Sequence, residues 1–543
     1  MDKEISGNIV NIFDKVTFPG TLKIDKGVIT KITKKNKDFN NFIIPGFVDA
    51  HVHIESSMLT PSEFARIAVA HGTVAIVSDP HEIANVLGIN GVYYMLKDAS
   101  KVPLKICFGA PSCVPASPFE SAGNKLNEKD IEELLSNPKI GFLAEVMNYP
   151  GVINNDPELI TKINLAKKFS KPIDGHAPGL SGRDLENYIS KGISTDHECF
   201  TIDEALEKIK MGMKILIREG SAARDFSELY PLLDNNWESC MLCSDDKHPD
   251  DLVNGHINLL VKKAIEKEID PFKIFSAASL NPVNHYNLGL GLLRVGDPAD
   301  FLVIDNLKDL NILRTYINGV LVAKNGKSNI KRTEPEIKNN FNIGLKKQND
   351  FIIEAKKGKI NVINAIEGQI ITEKSKEDPK ISEGQVISDI QMDILKITVV
   401  NRYNEVKPSI GFIKNFGLKE GAIASSVAHD SHNIIAIGVN DNDICKAVNL
   451  IIKNKGGICA IGKGKENILP LPIAGIISNK KYDWIAEKYV ELNNMAKTLG
   501  CNLKAPFMTL SFMALPVIPK LKLSDKGLFD SEKFKFINIF DQA

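Results

Sequence analysis

The chain has 543 residues, 43% of them hydrophobic and 25% charged, with 67 basic side chains set against 67 acidic ones. That length exceeds one ordinary core and points to roughly two to four domains. The even charge excludes a chain-wide pull toward nucleic acid or anionic membrane, and no apolar run approaches the ~20 residues needed to span a bilayer.

The first residues, MDKEISGNIVNIFDK, are charged where a secretory leader is apolar. A soluble cytoplasmic protein is therefore expected. Its cysteines (107, 113, 199, 240, 243, 445, 459 and 501) are scattered along a long chain, which predicts free thiols. Cys240 and Cys243 have the spacing of zinc and redox sites, but they sit in an apolar run. If that run is a strand, the two side chains point to opposite faces and cannot grip one metal.

From residue 46 to about 295 one pattern recurs: a short run rich in Val, Ile, Phe and Leu, a polar loop, then a helical periodicity. The runs are GFVDAHVHI (46–54), GTVAIVSDP (72–80), LKICFGAP (104–111), IGFLAEVM (140–147), KPIDGHAP (171–178), GISTDHE (192–198), MKILIREG (213–220) and CMLCSDD (240–246). A helix is legible after the first of them, with Thr60 as cap, Pro61 in the first turn and Gly72 as stop. Eight strand–helix units over this length predict a (β/α)8 barrel, with an open doubly wound sheet as the alternative.

The strand ends carry the chemistry. The first run ends in His51 and His53, the fourth in Glu145, the fifth in His176, the sixth in His197 and the eighth in Asp245. Strand C-termini share one face of a barrel, where active sites are built. His51 and His53, two apart on a strand, point to the same side and can share one ion. Asp246 is the alternative to Asp245, since neighbours on a regular strand face opposite ways.

These marks resemble the amidohydrolase superfamily of metal-dependent hydrolases. The segments PGFVDAHVHIESSMLTPSEFARIAVAHGTVAIVSDPHEIANVLG (45–88) and VAHDSHNIIAIG (427–438) are most similar to the bacterial and archaeal adenine deaminases. Glu145 stands where many binuclear relatives carry a carbamylated lysine, which agrees with that family. The resemblance implies a β-sandwich from residues 1–45 and 296–330, a catalytic barrel over 46–295, and a C-terminal α/β domain over 345–543. It also implies a binuclear centre in which His51, His53 and Asp245 hold one metal, His176 and His197 hold the other, and Glu145 bridges them. Manganese is the expected ion, with iron or zinc compatible with the ligands. The implied substrate is free adenine, attacked at C6 to give hypoxanthine and ammonia in purine salvage or catabolism, by a homo-oligomer (dimer or tetramer) that binds neither nucleic acid nor membrane.

Within that reading Asp245 carries the proton from the nucleophile to the departing amine, and Glu82 protonates the ring. Asp79, His81 and Glu82 can equally be a loop that caps the next helix. Glu55, which continues the alternation of His51 and His53, and Arg218 and Ser221 on the seventh run are candidate purine contacts. His71, His248, His256 and His285 read as packing or surface histidines. The zinc deaminase motif, His-x-Glu with Pro-Cys-x-x-Cys, is absent, and GGICAIGKG (456–464) matches no phosphate-binding fingerprint. The competing readings are a cyclic-amide hydrolase of the same superfamily and a catalytically inactive barrel scaffold.

Beyond a polar linker (324–340), Ile444, Ala447, Val448 and Ile451 mark a helix between two apolar runs, capped by Asp441 and closed by Gly456. This predicts β-α-β packing. The turn VAHDSHN is either a turn bonded to itself or a lid in which His429, Asp430 or His432 closes the site or holds the substrate.

Overall fold

The computed structural model describes residues 3–221 and 223–541. The chain divides into two compact units. One comprises residues up to 81, 92–113 and 127–334, and the other comprises 82–91, 114–126 and the chain from 335 on.

The first unit holds the repeated strands: β1 (Phe47–Val52), β2 (Thr73–Ser78), β3 (Lys105–Ala110), β4 (Ile140–Val146), β5 (Ile173–Gly175), β6 (Thr195–Asp196), β7 (Lys214–Arg218) and β8 (Cys240–Cys243). Strands β1 to β5 form one parallel ladder and β6 to β8 another. The Asp245 amide donates to the His51 carbonyl at 2.9 Å, closing β8 onto β1, and the Ser194 amide donates to the Ile173 carbonyl at 3.0 Å, joining the two ladders at β5. The sheet is thus a closed (β/α)8 barrel and not an open doubly wound sheet. Ala50, Val77, Phe142, Ala144, Leu216 and Met241 pack its interior. Cys240 and Cys243 are buried free thiols of β8.

The helix after β1, Pro61–Ala68, starts as its residues dictate: Thr60 Oγ1 accepts from the Glu63 amide and Pro61 occupies the first turn. Gly72 ends the following short turn at φ 83°, where a side chain would be strained. Both chain flanks of the barrel enter one eight-stranded sheet, in which Phe42–Pro45 pairs with Lys3–Asn11 on one side and Phe301–Ile304 on the other. Ile9, Leu22, Ile29, Phe301 and Tyr316, from strands across that sheet, share one core, so the sheet curls over on itself.

The second unit is built on a separate eight-stranded sheet with the helix Asp441–Asn454 packed on it through Ile444, Ala447, Val448 and Ile451. Asn440, not Asp441, caps this helix. Its extended backbone lets Oδ1 accept from the Asp443 amide at 2.9 Å, and Asp441 falls inside the first turn. The strands before and after the helix, Ile434–Gly438 and Gly457–Gly462, both pair antiparallel with Ala422–Ser425, which lies between them. The β-α-β unit is therefore split by an inserted strand. Among the described residues no helix is long and apolar enough to cross a membrane.

Candidate metal centre

The barrel brings the strand-end residues into one buried cluster. His51 lies in β1 with His53 just beyond it, Glu145 in β4, His176 and His197 directly after β5 and β6, and Asp245 after β8. His51 Nε2 is 3.2 Å from His53 Nε2 and 3.5 Å from Asp245 Oδ1, and His53 Nε2 is 3.2 Å from that same oxygen. Glu145 divides its oxygens. Oε1 is 3.3 Å from His53 Nε2, whereas Oε2 is 2.9 Å from His176 Nδ1 and 3.2 Å from His197 Nε2.

These residues fit divalent cations. Bonds of about 2.0–2.2 Å place neighbouring ligand atoms roughly 3.0–3.5 Å apart, which is the spacing found here. The Nδ1 of His53 lies 3.1 Å from the Asp79 carbonyl, which can only accept, so that nitrogen faces away and Nε2 is turned toward the cluster. His51 is fully buried, and its Nδ1 has no hydrogen-bond partner among the described residues. Burial, with His197 close by, pushes His51 below the usual imidazole range, so its ring is neutral and ready to ligate. Burial alone would raise Glu145, but hydrogen bonds from His176, His197 and His53 hold its carboxyl well below the usual range. Asp245 is likewise raised by burial and lowered further by His51, His53 and Arg218. Both are anionic at neutral pH.

Asp245 and Asp246 face different partners. Asp246 Oδ1 accepts from Ser56 Oγ at 2.5 Å, and Asp245 Oδ1 faces the imidazoles. Asp245 adopts φ 51°, a turn by which the chain leaves β8. Asp79 and His81 also join the cluster, with His81 Nδ1 3.1 Å from Asp79 Oδ2 and 3.4 Å from Glu145 Oε1.

Glu198 was not read from the sequence. Its Oε1 lies 3.5 Å from His197 Nε2 and 3.8 Å from His176 Nδ1. The only local signal was its place beside His197, and its partner Arg218 comes from the next strand. Arg218, read from the sequence as a purine contact, is buried among carboxylates. It forks onto both oxygens of Glu198 and donates Nε to Asp225 and Nη1 to Asp245 Oδ2, each at 2.9 Å. Ser221 Oγ donates to Asp251 Oδ2 at 2.6 Å and accepts from the His248 amide. Glu55 is buried in a short 3-10 turn after β1.

Glu82 and His432 belong to the second unit and meet there. His429 Nδ1 lies 2.5 Å from Glu82 Oε1, and His432 Nε2 contacts Oε2. Burial raises Glu82, but the two histidines hold it well below the usual range. The turn is therefore not bonded only to itself.

Two family models cover the chain: the amidohydrolase family over residues 42–322 and the adenine deaminase C-terminal domain over 369–535. A curated adenine deaminase of Sulfurovum sp. is 54% identical across 98% of this chain and 99% of its own length. That of Methanosarcina acetivorans is 51% identical, covering 99% of each. The chain belongs to the adenine deaminase family. Among solved structures, a β-aspartyl dipeptidase from Fervidobacterium islandicum matches with a TM-score of 0.48 and 16% identity, over 62% of this chain and 100% of its own. The family implies a divalent metal, and the buried histidine–carboxylate cluster holds groups of side chains that could bind one.

Proposed function

We propose that this chain hydrolyses adenine to hypoxanthine and ammonia, using a pair of divalent ions, manganese first among them. The observation that carries the reading is Glu145, whose two oxygens face different sets of imidazoles, as a bridging carboxylate must. His51, His53 and Asp245 would hold one ion, and His176 and His197 the other. Bound there, the ions would activate water at neutral pH and stabilise the charge that develops on attack at C6.

The side chains then supply the proton movements. Arg218 fixes Asp245 through Oδ2, so that Oδ1 stays turned toward the imidazoles. Asp245 takes the proton released as water attacks and passes it to the amine nitrogen on C6, which leaves as ammonia. The ring nitrogen beside C6 must gain a proton as well. Because its histidines keep Glu82 ionised, Glu82 acts as a relay for a proton from the His429 side, and the proton left on the C6 hydroxyl when ammonia departs returns to the same pair, which forms the carbonyl and restores the pair. His432, held neutral by burial, positions Glu82 and contacts the base. Glu55 and Ser221 remain candidates for further base contacts. Free adenine as substrate fits cytoplasmic purine salvage by a homo-oligomer.

Ammonia release from adenine, adenosine, a hydantoin and a dihydropyrimidine, with added manganese, tests this reading. Turnover of adenine far above the others is expected. Hydrolysis of a cyclic amide with adenine untouched would overturn it.

A further inference from the structure

Glu198 stands in the metal cluster without a part in the two-ion reading. It lies two residues beyond β6, next to His197, and is 5% exposed. Its Oε1 is 3.5 Å from His197 Nε2 and 3.8 Å from His176 Nδ1. The same two nitrogens are 3.2 Å and 2.9 Å from Glu145 Oε2. Two imidazole nitrogens and two carboxylate oxygens therefore meet with neighbours 2.9–3.8 Å apart. Four ligand atoms about 2.1 Å from a tetrahedral centre lie roughly 3.4 Å from one another, so these four surround a space of the right size for a cation. All of them belong to one compact unit of the chain.

Charge points the same way. In the two-ion reading the first ion has Asp245 to itself, with His51, His53 and a share of Glu145. The second has two imidazoles, neutral when they ligate, and only its share of Glu145. A carboxylate of its own would give the second ion the same set as the first. Arg218 treats Glu198 and Asp245 as counterparts, forking onto both oxygens of Glu198 and donating Nη1 to Asp245 Oδ2. The fork does not exhaust Glu198, because an ionised carboxylate offers about four acceptor sites and Oε1 can serve Arg218 and a cation together.

We propose that Glu198 is itself a metal ligand, its Oε1 completing with His176, His197 and Glu145 the set that holds the second ion. Arg218 positions it there as it positions Asp245 for the first. The proposal rests on the cluster holding two ions.

Calorimetric titration of the metal-free full chain with manganese, resolved into its two binding steps, compares wild type with Glu198→Gln. The glutamine keeps the size and an oxygen that accepts from Arg218 but loses the charge. Losing a ligand should cost at least as much as losing an outer partner, so one step should weaken about tenfold or more while the other stays within about threefold of wild type. Manganese EPR reads the same event without turnover: the signal of a spin-coupled pair in wild type should give way to that of an isolated ion in Glu198→Gln at equal metal. If Glu198→Gln fails to fold, Glu198→Asp, which keeps a charge for Arg218 but withdraws it by one methylene, should show the same selective loss. A variant that matches wild type at both steps overturns the proposal. Equal weakening of both steps overturns it as well, because a prop for Arg218 alone would disturb Asp245 as much as the second ion. Wild type that takes up a single ion defeats the two-ion reading itself, which is a different outcome from a two-ion wild type with an indifferent Glu198→Gln.

Discussion

Glu145 is met by the imidazoles of His53, His81, His176 and His197, and this arrangement sets the cost of changing it. Glu145→Gln keeps the shape but loses the anionic charge that a shared bridge between two cations needs. Metal content should fall from about two ions per chain toward one or fewer, and turnover should fall at least ~100-fold. Elemental analysis beside the ammonia assay checks this, and a fully active variant would refute the bridge. Arg218 acts one step further out. Its planar fork engages Glu198, Asp225 and Asp245 together, which a lysine cannot reproduce. Arg218→Lys should weaken metal binding by about 10–100-fold, as the loss of a supporting partner commonly does. A metal titration that matches wild type would show that the fork is dispensable.

The seam where β8 meets β1 positions the candidate ligands carried by the first and last strands of the barrel. Asp49 in β1 accepts from the Ser244 amide at 3.0 Å and from Ser244 Oγ, and its Oδ2 lies 2.7 Å from His256 Nε2. Thr73 at the start of β2 holds the other nitrogen of His256 at 2.7 Å. A histidine read from the sequence as packing is therefore a strut that ties β1, β2 and β8 together. His256→Ala should leave the Asp49 carboxylate short of a partner and cost roughly 2–4 kcal/mol, seen as a lower Tm. A Tm within one or two degrees of wild type would reduce the strut to packing. The helix Asp441–Asn454 makes a different point. Its apolar face was read correctly because burial follows the 3.6-residue period, while its cap moved by one residue because capping depends on where the backbone turns extended.

At the scale of the molecule, the second unit is not confined to the C-terminal part of the sequence. Residues 82–91 and 114–126 belong to it. Within that unit Asn340 Nδ2 donates to the Val86 carbonyl, Asn433 Nδ2 to the Ser121 carbonyl, and Ser524 Oγ to the Phe119 carbonyl. A chain ended after residue 334 would leave these groups and the Glu82 carboxylate without their partners. It should melt lower, and it should lose adenine turnover even when supplied with manganese. Full activity in the shortened chain would confine the chemistry to the barrel. Acid should also weaken the fold in a defined window. Burial pushes His71 and His285 down to about 4, against about 6.5 when unfolded. Between those values the unfolded chain binds more protons, so stability falls as pH drops from 6.5 toward 4, and these two groups contribute nothing further below that. His285→Asn should flatten the fall in Tm across that window, and an unchanged slope would exclude His285 as a source.

Periodicity and strand-end chemistry are local properties, and they carried most of this protein into view from its sequence. Alternating and helical spacings marked the barrel strands, and each candidate ligand could be placed because a barrel sends all strand C-termini to one face. His51, His53, Glu145, His176, His197 and Asp245 were therefore legible one strand at a time. The closed barrel, by contrast, rests on hydrogen bonds between residues nearly two hundred positions apart, such as Asp245 to His51. Glu198 and the carboxylates around Arg218 escaped for the same reason: each looks like an ordinary charged residue until the fold buries it beside its partners. Glu82 shows the division most clearly. The sequence marked it as a candidate acid beside a strand end, but only the tertiary structure places His429 and His432, some 350 residues away, against its two oxygens. No local spacing encodes that contact, because it exists only once the packed backbone has brought distant segments together.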